Sequence, residues 1–216
     1  MVMAAVVTRI VLAILLMQCS ALSRSPHGDQ RLVADAGVLL ENTKVRVLRV
    51  QATHIAHYVL RAPEPHGTVW VALDNSVIVR SHQGAVATNG QRELRAGDAE
   101  MVQPGDEVEF EPQDDSVARL ILVEPKMSAQ PLTIRTTTLN THQQLQDATD
   151  RNDTLLIAIS PVRLRGVRNV ADESEWKPNR PEFWALPTGG VRWVRSGMYR
   201  LTNLLPRAVQ FVTVEW

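Results

Sequence analysis

Short runs of β-branched residues, each closed by turn residues, dominate the chain from Val45 onward. Val45 to Val50 (VRVLRV) alternates apolar and basic positions, with a slip between Val47 and Leu48 that brings Leu48 and Val50 onto an apolar face. Thr68 to Val79 (TVWVALDNSVIV) predicts two strands around an Asp74-Asn75 turn. Leu94 to Val102 and Val108 to Val123 continue the series, broken at Pro104-Gly105. Strands spaced roughly 8–12 residues apart with such turns are the mark of a sandwich or a barrel. Helical periodicity is nearly absent. The best stretch, Thr141 to Asp150 (THQQLQDATD), is polar and reads as a short helix or a linker.

The strand pattern repeats. Thr68-Val-Trp-Val-Ala-Leu73 aligns with Thr154-Leu-Leu-Ile-Ala-Ile159. Gly97-Asp98 aligns with Gly189-Gly190, and each pair is followed eight residues on by a second glycine, Gly105 and Gly197. Ala118-Arg-Leu-Ile-Leu-Val-Glu124 aligns with Val209-Gln-Phe-Val-Thr-Val-Glu215. The offsets of 86, 92 and 91 residues differ by an insertion between Val170 and Pro187. Three matched blocks in one order make two copies, assigned to residues 33–127 and 128–216.

Residues 1–21 do not fit this pattern. Arg9, the apolar run Ile10 to Met17, and Cys19-Ser20-Ala21 have the layout of an export signal. The run is shorter than the roughly 20 residues that span a bilayer. The expectation is an exported, periplasmic or extracellular protein with no transmembrane anchor once the signal is cleaved. Leu16-Met17-Gln18-Cys19 also loosely resembles a lipobox, which leaves a lipoprotein anchored through Cys19 as the alternative. Residues 22–32 read as a flexible leader. Cys19 is the chain's single cysteine, so a mature chain cut after Ala21 has no disulfide and no thiolate metal site.

Lys plus Arg total 23 and Asp plus Glu total 23, which argues against a nucleic-acid grip. The balance hides an asymmetry. Residues 31–130 hold 10 basic and 14 acidic side chains, and residues 161–216 hold 9 basic and 5 acidic. An acidic copy joined to a basic one predicts charge-steered pairing, either between the copies or in a homodimer.

Glu41-Asn-Thr-Lys-Val-Arg-Val-Leu-Arg-Val50, the VWVAL strand and Arg95-Ala-Gly-Asp98 resemble small cupins. So do Gly189-Gly-Val-Arg-Trp-Val194, Leu201-Thr-Asn203 and Phe211-Val-Thr-Val-Glu215. The resemblance implies an all-β chain of two cupin-like jelly-roll barrels (double-stranded β-helices) in tandem, a bicupin. It also implies a divalent metal, held in the barrel by a His-x-His pair with a glutamate and by a third histidine from a second motif. This chain departs from that pattern. It has no His-x-His, and Glu107 and Tyr199 stand where the third histidine would be counted from Gly105 and Gly197. The expectation is therefore a chain with no resident cofactor. Glu64, His66 and Glu107 are the fallback ligands for a divalent metal, although strand phase turns Glu107, Glu109 and Glu111 to solvent. His54 and His57, three apart, make a weak alternative pair.

Tyr199, on the Leu201 face of its strand, is a candidate ligand contact. Trp176, Trp184 and Trp193 are candidates for a small-molecule or carbohydrate surface, since such sites combine aromatic faces with polar neighbours. The alternative is that Trp176 and Trp184 cap their own barrel. No G-x-S-x-G elbow, P-loop or dinucleotide fingerprint occurs. The reading that follows is an exported cupin-like protein without the usual metal site, binding a small ligand or partner or serving structurally. The enzymatic alternative is a dioxygenase or isomerase with an unusual ligand set, and the third reading is a carbohydrate-binding module.

Overall fold

A computed structural model describes residues 36–63, 65–75, 77–83, 86–126, 132–145, 152–169, 181–196 and 198–216. Every regular element among them is a β-strand. The first nine are β1 (Gly37–Glu41), β2 (Val45–Thr53), β3 (Tyr58–Arg61), β4 (Thr68–Ala72), β5 (Val77–Gln83), β6 (Val86–Leu94), β7 (Ala99–Val102), β8 (Glu107–Pro112) and β9 (Val117–Pro125). Eight more follow: β10 (Thr133–Leu139), β11 (Gln144–Leu145), β12 (Thr154–Ala158), β13 (Val162–Asn169), β14 (Glu182–Leu186), β15 (Val191–Val194), β16 (Met198–Asn203) and β17 (Val209–Glu215).

They form four antiparallel sheets. The first barrel faces β1-β2-β9-β4-β7 against β3-β8-β5-β6, and the second faces β10-β17-β12-β15 against β11-β16-β13-β14. Strand for strand the orders are the same, β2 matching β10, β9 matching β17 and β4 matching β12. Strand β1 has no counterpart among the described residues of the second barrel. The repeat in the sequence is thus a repeat of topology, and both copies are jelly-roll barrels.

Three apolar layers hold the molecule. Trp70, Leu48, Val50, Leu120, Leu122 and Phe110 lead the layer inside the first barrel, and Leu156, Leu164, Trp184, Leu201 and Phe211 the layer inside the second. The third lies between the barrels. There Val45, Val47, Val69, Val71, Ile121 and Val123 of the first barrel pack on Leu155, Ile157, Ile159, Val212 and Val214 of the second. This explains why β4 and β12 are buried at all five positions. One face fills a barrel and the other fills the seam, so VWVA and LLIA lose the polar alternation of a one-sided strand. It also removes the slip expected at Val47. Val45 and Val47 point to the seam while Leu48, Val50 and Ala52 point into the barrel, in strict alternation.

Contacts across the seam occur in matched pairs. The Arg49 guanidinium donates to the Gly189 carbonyl at 3.4 Å, and the Thr136 hydroxyl donates to the Gly97 carbonyl at 2.8 Å. Arg49 pairs with Ile121 and Thr136 with Val212, which are equivalent ladder positions. Gly97 and Gly189 are themselves repeat equivalents, with φ of 92° and 71°. Each barrel therefore offers the other the same turn, as in a two-fold dimer. The Lys44 ammonium also meets the Asp153 carboxylate at 2.6 Å. Among the described residues the seam is an apolar layer with local polar ties of this kind.

The Thr141 to Asp150 segment differs from its expectation where it is described. Residues 141–143 form a turn with His142 at φ 58°, and Gln144–Leu145 pair with Thr202 and Leu201. A polar stretch of this length cannot hold an isolated helix in water, and Leu145 gains more by packing against the second barrel's core. Residues 146–150 lie outside the described residues.

Candidate functional site

In a jelly-roll barrel the inward positions of the sheets define the space where a ligand or metal would sit. In the first barrel the inward positions of β8 are Val108, Phe110 and Pro112, all buried. Phe110 meets Trp70 edge to face, with ring centroids 5.5 Å apart at 72°, and Tyr58 stacks on it at 6.4 Å. Burial pushes the Tyr58 phenol up to about 12, and the Glu124 charge adds to the shift. Thr68 is also buried, and among the described residues its hydroxyl has no hydrogen-bond partner.

The outward positions of β8 carry the carboxylates, as strand phase requires, but they are half-buried and engaged by basic side chains. Arg61 Nη2 lies 2.8 Å from Glu107. His57 sits between its two neighbours, Nδ1 at 2.9 Å from Glu109 and Nε2 at 3.5 Å from Glu111. Arg80 reaches Glu111 at 2.7 Å and Glu109 at 3.8 Å. Three carboxylates thus face two guanidinium groups and one imidazole across β3, β8 and β5. That layer ties neighbouring strands together on the outside of the barrel.

This geometry places Glu107 on the outer face, committed to Arg61. His66 is half-buried in the turn before β4, and Glu64 lies outside the described residues. His54 pairs loosely with Asp115 at 3.5 Å, away from His57's partners. Among the described residues no three His, Cys, Asp or Glu side chains gather as a metal site would require. The described interior of the first barrel, lined by aliphatic and aromatic groups, does not fit a cation that needs imidazole or carboxylate donors.

The second barrel fills its centre with Trp184, 2% exposed. Its indole N–H donates to Glu182 at 3.0 Å, and Arg192 lies 4.8 Å over its ring while pairing with the same carboxylate at 2.9 Å. Gly166 leaves room for the ring, since a Cβ there would stand 3.1 Å from it. The expectation that Trp184 offers an open aromatic face is corrected: its face is spent on the core and on Arg192. Trp176 lies outside the described residues, as does the side chain of Tyr199, whose backbone pairs with Arg168 in β13–β16. Trp193 borders the seam and tilts against Trp216, with centroids 5.0 Å apart. Its half-buried ring is a packing element of the barrel contact, and its partner Trp216 was not singled out in the sequence.

Asn203 is the other side chain that the sequence pattern undervalued. It is fully buried, its amide donates to the carbonyls of Leu139, Asn140 and Arg207, and its oxygen accepts from Leu205 N–H. Its N–H groups and its oxygen are all engaged in closing the end of the second barrel.

No family model and no curated protein matches the sequence. Solved structures do match. AerE from Microcystis aeruginosa is 10% identical, with 87% of this chain and 94% of that chain covered and a TM-score of 0.60. Vicilin from Corylus avellana (hazelnut) is 8% identical, with 79% and 74% covered and a TM-score of 0.56. A point mutant of salicylate 1,2-dioxygenase from Pseudoaminobacter salicylatoxidans is 10% identical, with 95% and 81% covered and a TM-score of 0.54. An enzyme and a protein not described as one thus share the architecture, and identities this low speak to fold alone. Two jelly-roll barrels in tandem, matched in strand order and packed face to face, give this chain the bicupin form of the cupin fold.

Proposed function

We propose that this chain is an exported cupin-fold protein that works without a barrel-held metal, its barrels serving as packed scaffolds and its outer surfaces making the functional contacts. The observation that carries this reading is the first barrel's interior. Trp70, Phe110, Leu120 and Leu122 occupy the space where the fold's metal chemistry would need imidazole and carboxylate donors. The carboxylates that could have supplied such donors face outward and are paired with Arg61, His57 and Arg80. Export rests on the layout of residues 1–21.

Elemental analysis of the purified protein tests the proposal. Less than about a tenth of an equivalent of iron, manganese, nickel or zinc, unchanged after dialysis against each metal, is the expected result. One tightly held equivalent, lost with Glu64→Ala or His66→Ala, would overturn it and favour a metal-dependent enzyme.

A further inference from the structure

We infer that the edge of β10, on which no other strand lies among the described residues, is a docking surface for a second copy of this chain, which pairs its own β10 antiparallel across a two-fold axis at Thr136. The inference rests on the outer-surface reading above and names the partner.

The comparison of the two barrels exposes the edge. In the first barrel β1 lies antiparallel on β2, from Gly37 opposite Arg49 to Glu41 opposite Arg46. The matching stretch of the second barrel is Thr133 to Thr136, and among the described residues no strand lies on it. The connection explains the difference. β2 follows β1 through the tight turn 42–44, whereas β10 begins eight residues after β9 ends at Pro125, on a chain arriving from the other barrel.

Exposed edges are normally guarded by shortness, bulges or charge. The described edges of this molecule follow that rule except at β10. Strands β3, β7, β11, β14 and β15 have two to five residues. Strand β1 carries a register shift between Val38 and Leu40, and β6 meets a shift between Arg80 and His82 and exposes Arg92 and Glu93. Strand β10 has seven residues in unbroken register with β17, no proline, four threonines and the single charge of Arg135. Thr133, Arg135, Thr136 and Thr138 are exposed, Thr136 with its hydroxyl held by the Gly97 carbonyl of the facing barrel.

The strand is also self-complementary. Pairing about its centre sets Thr136 against Thr136, Arg135 against Thr137, Ile134 against Thr138 and Thr133 against Leu139. No like charges meet, and threonine pairs across an antiparallel ladder are favourable. A two-fold normal to the sheet keeps opposed side chains on one face. Leu132 and Ile134 already belong to the apolar layer of the seam, so the added strand continues that established contact.

Sedimentation equilibrium of the purified full-length protein tests this, with two substitutions of opposite sign. Thr137→Glu faces Arg135 of the second copy and should tighten the dimer about fivefold or more, while Thr137→Arg should weaken it about fivefold or more. In a Cys19→Ser background, Thr136→Cys should form a disulfide-linked dimer under mild oxidation, and Ser116→Cys should not. A protein that stays monomeric at every concentration, that associates only with a different added protein, or whose two Thr137 variants shift together would overturn the inference. Metal content answers separately for the outer-surface reading. A metal-free monomer leaves that reading standing without this edge, and a metal-loaded β10 dimer does the reverse.

Discussion

The two barrels share one strand order and solve the same packing problem with different residues. Trp70 fills the first barrel from β4, while its repeat equivalent in β12 is Leu156, and the indole of the second barrel comes instead from Trp184 on the opposite sheet. The first barrel ends β8 on Pro112, which has no N–H to satisfy, whereas the second ends β16 on Asn203, which binds three carbonyls and one N–H. The first covers its β2 edge with β1, and among the described residues the second leaves β10 bare. The seam, by contrast, is equivalent on both sides down to the paired glycine turns. Interiors have diverged while the mutual contact has kept its two-fold logic, as expected when each barrel needs only an apolar filling of the right volume but both must fit one shared surface.

Perturbations at equivalent positions can break this comparison. The largest effect is expected at the first barrel's centre. Trp70→Ala should cost about 3–5 kcal/mol and Leu156→Ala about 2–5 kcal/mol in denaturant unfolding, the larger loss falling where the indole is removed. Asn203→Ala should cost about 1–3 kcal/mol, because it strands buried carbonyls, whereas Pro112→Ala at the matching strand end should cost less than about 1.5 kcal/mol. Gly97→Ala and Gly189→Ala should each cost about 1 kcal/mol or more by the same assay, and by similar amounts. Both sit at positive φ, and the new methyl would come within 2.8 Å of the Gln210 amide or of Leu73 in the facing barrel.

Smaller effects are pH-dependent and have opposite signs. Tyr58 is raised in the fold, so its contribution is complete below the ordinary phenol value of 10.0 and is lost as pH rises towards about 12. Alkaline titration should therefore loosen the first barrel, and Tyr58→Phe should remove that dependence while keeping the ring against Phe110. Asp153 is half-buried and under competing influences. Burial pushes its carboxyl up, but hydrogen bonds from Lys44 and from the Ser196 N–H, with the Lys44 and Arg195 charges, bring it below the ordinary 3.8. Its contribution is present above pH 3.8 and fades as pH falls through the lowered value. Lys44→Ala should flatten that acid limb in pH-dependent unfolding and cost less than about 1 kcal/mol at neutral pH, since the ammonium is solvent-facing.

The fold was legible because its signal is local. Turn-bounded β-branched runs mark strands, and a repeated TVWVAL/TLLIAI block marks a repeated strand. The doubly buried strands were harder to place. Val47 and Leu48 looked like a slip in register because alternation presumes one wet face, and only the second barrel supplies the missing apolar partner. The outward phase of Glu107, Glu109 and Glu111 could be read from β8 alone, but their pairing with Arg61, His57 and Arg80 could not, since those partners come from strands distant in the chain. Trp184 is open to two readings in the sequence, a ligand surface or a cap on its own barrel, for a related reason. Its neighbours Glu182 and Phe183 are exposed, and only Gly166 on the adjoining strand and Arg192 on the facing sheet show that its ring turns inward. Asn203 stands in a motif of the resemblance, but its closing role is not legible there, because its acceptors lie at the end of β10 and in the turns after β10 and β16.

The central claim is that doubly buried strands weld two self-filled barrels into one unit. Differential scanning calorimetry tests it most directly, because β4 and β12 each belong to a barrel core and to the seam at once. A single transition with equal calorimetric and van't Hoff enthalpies is expected, displaced as a whole by either Trp70→Ala or Leu156→Ala. Two separable transitions, with Trp70→Ala lowering one and leaving the other in place, would contradict it.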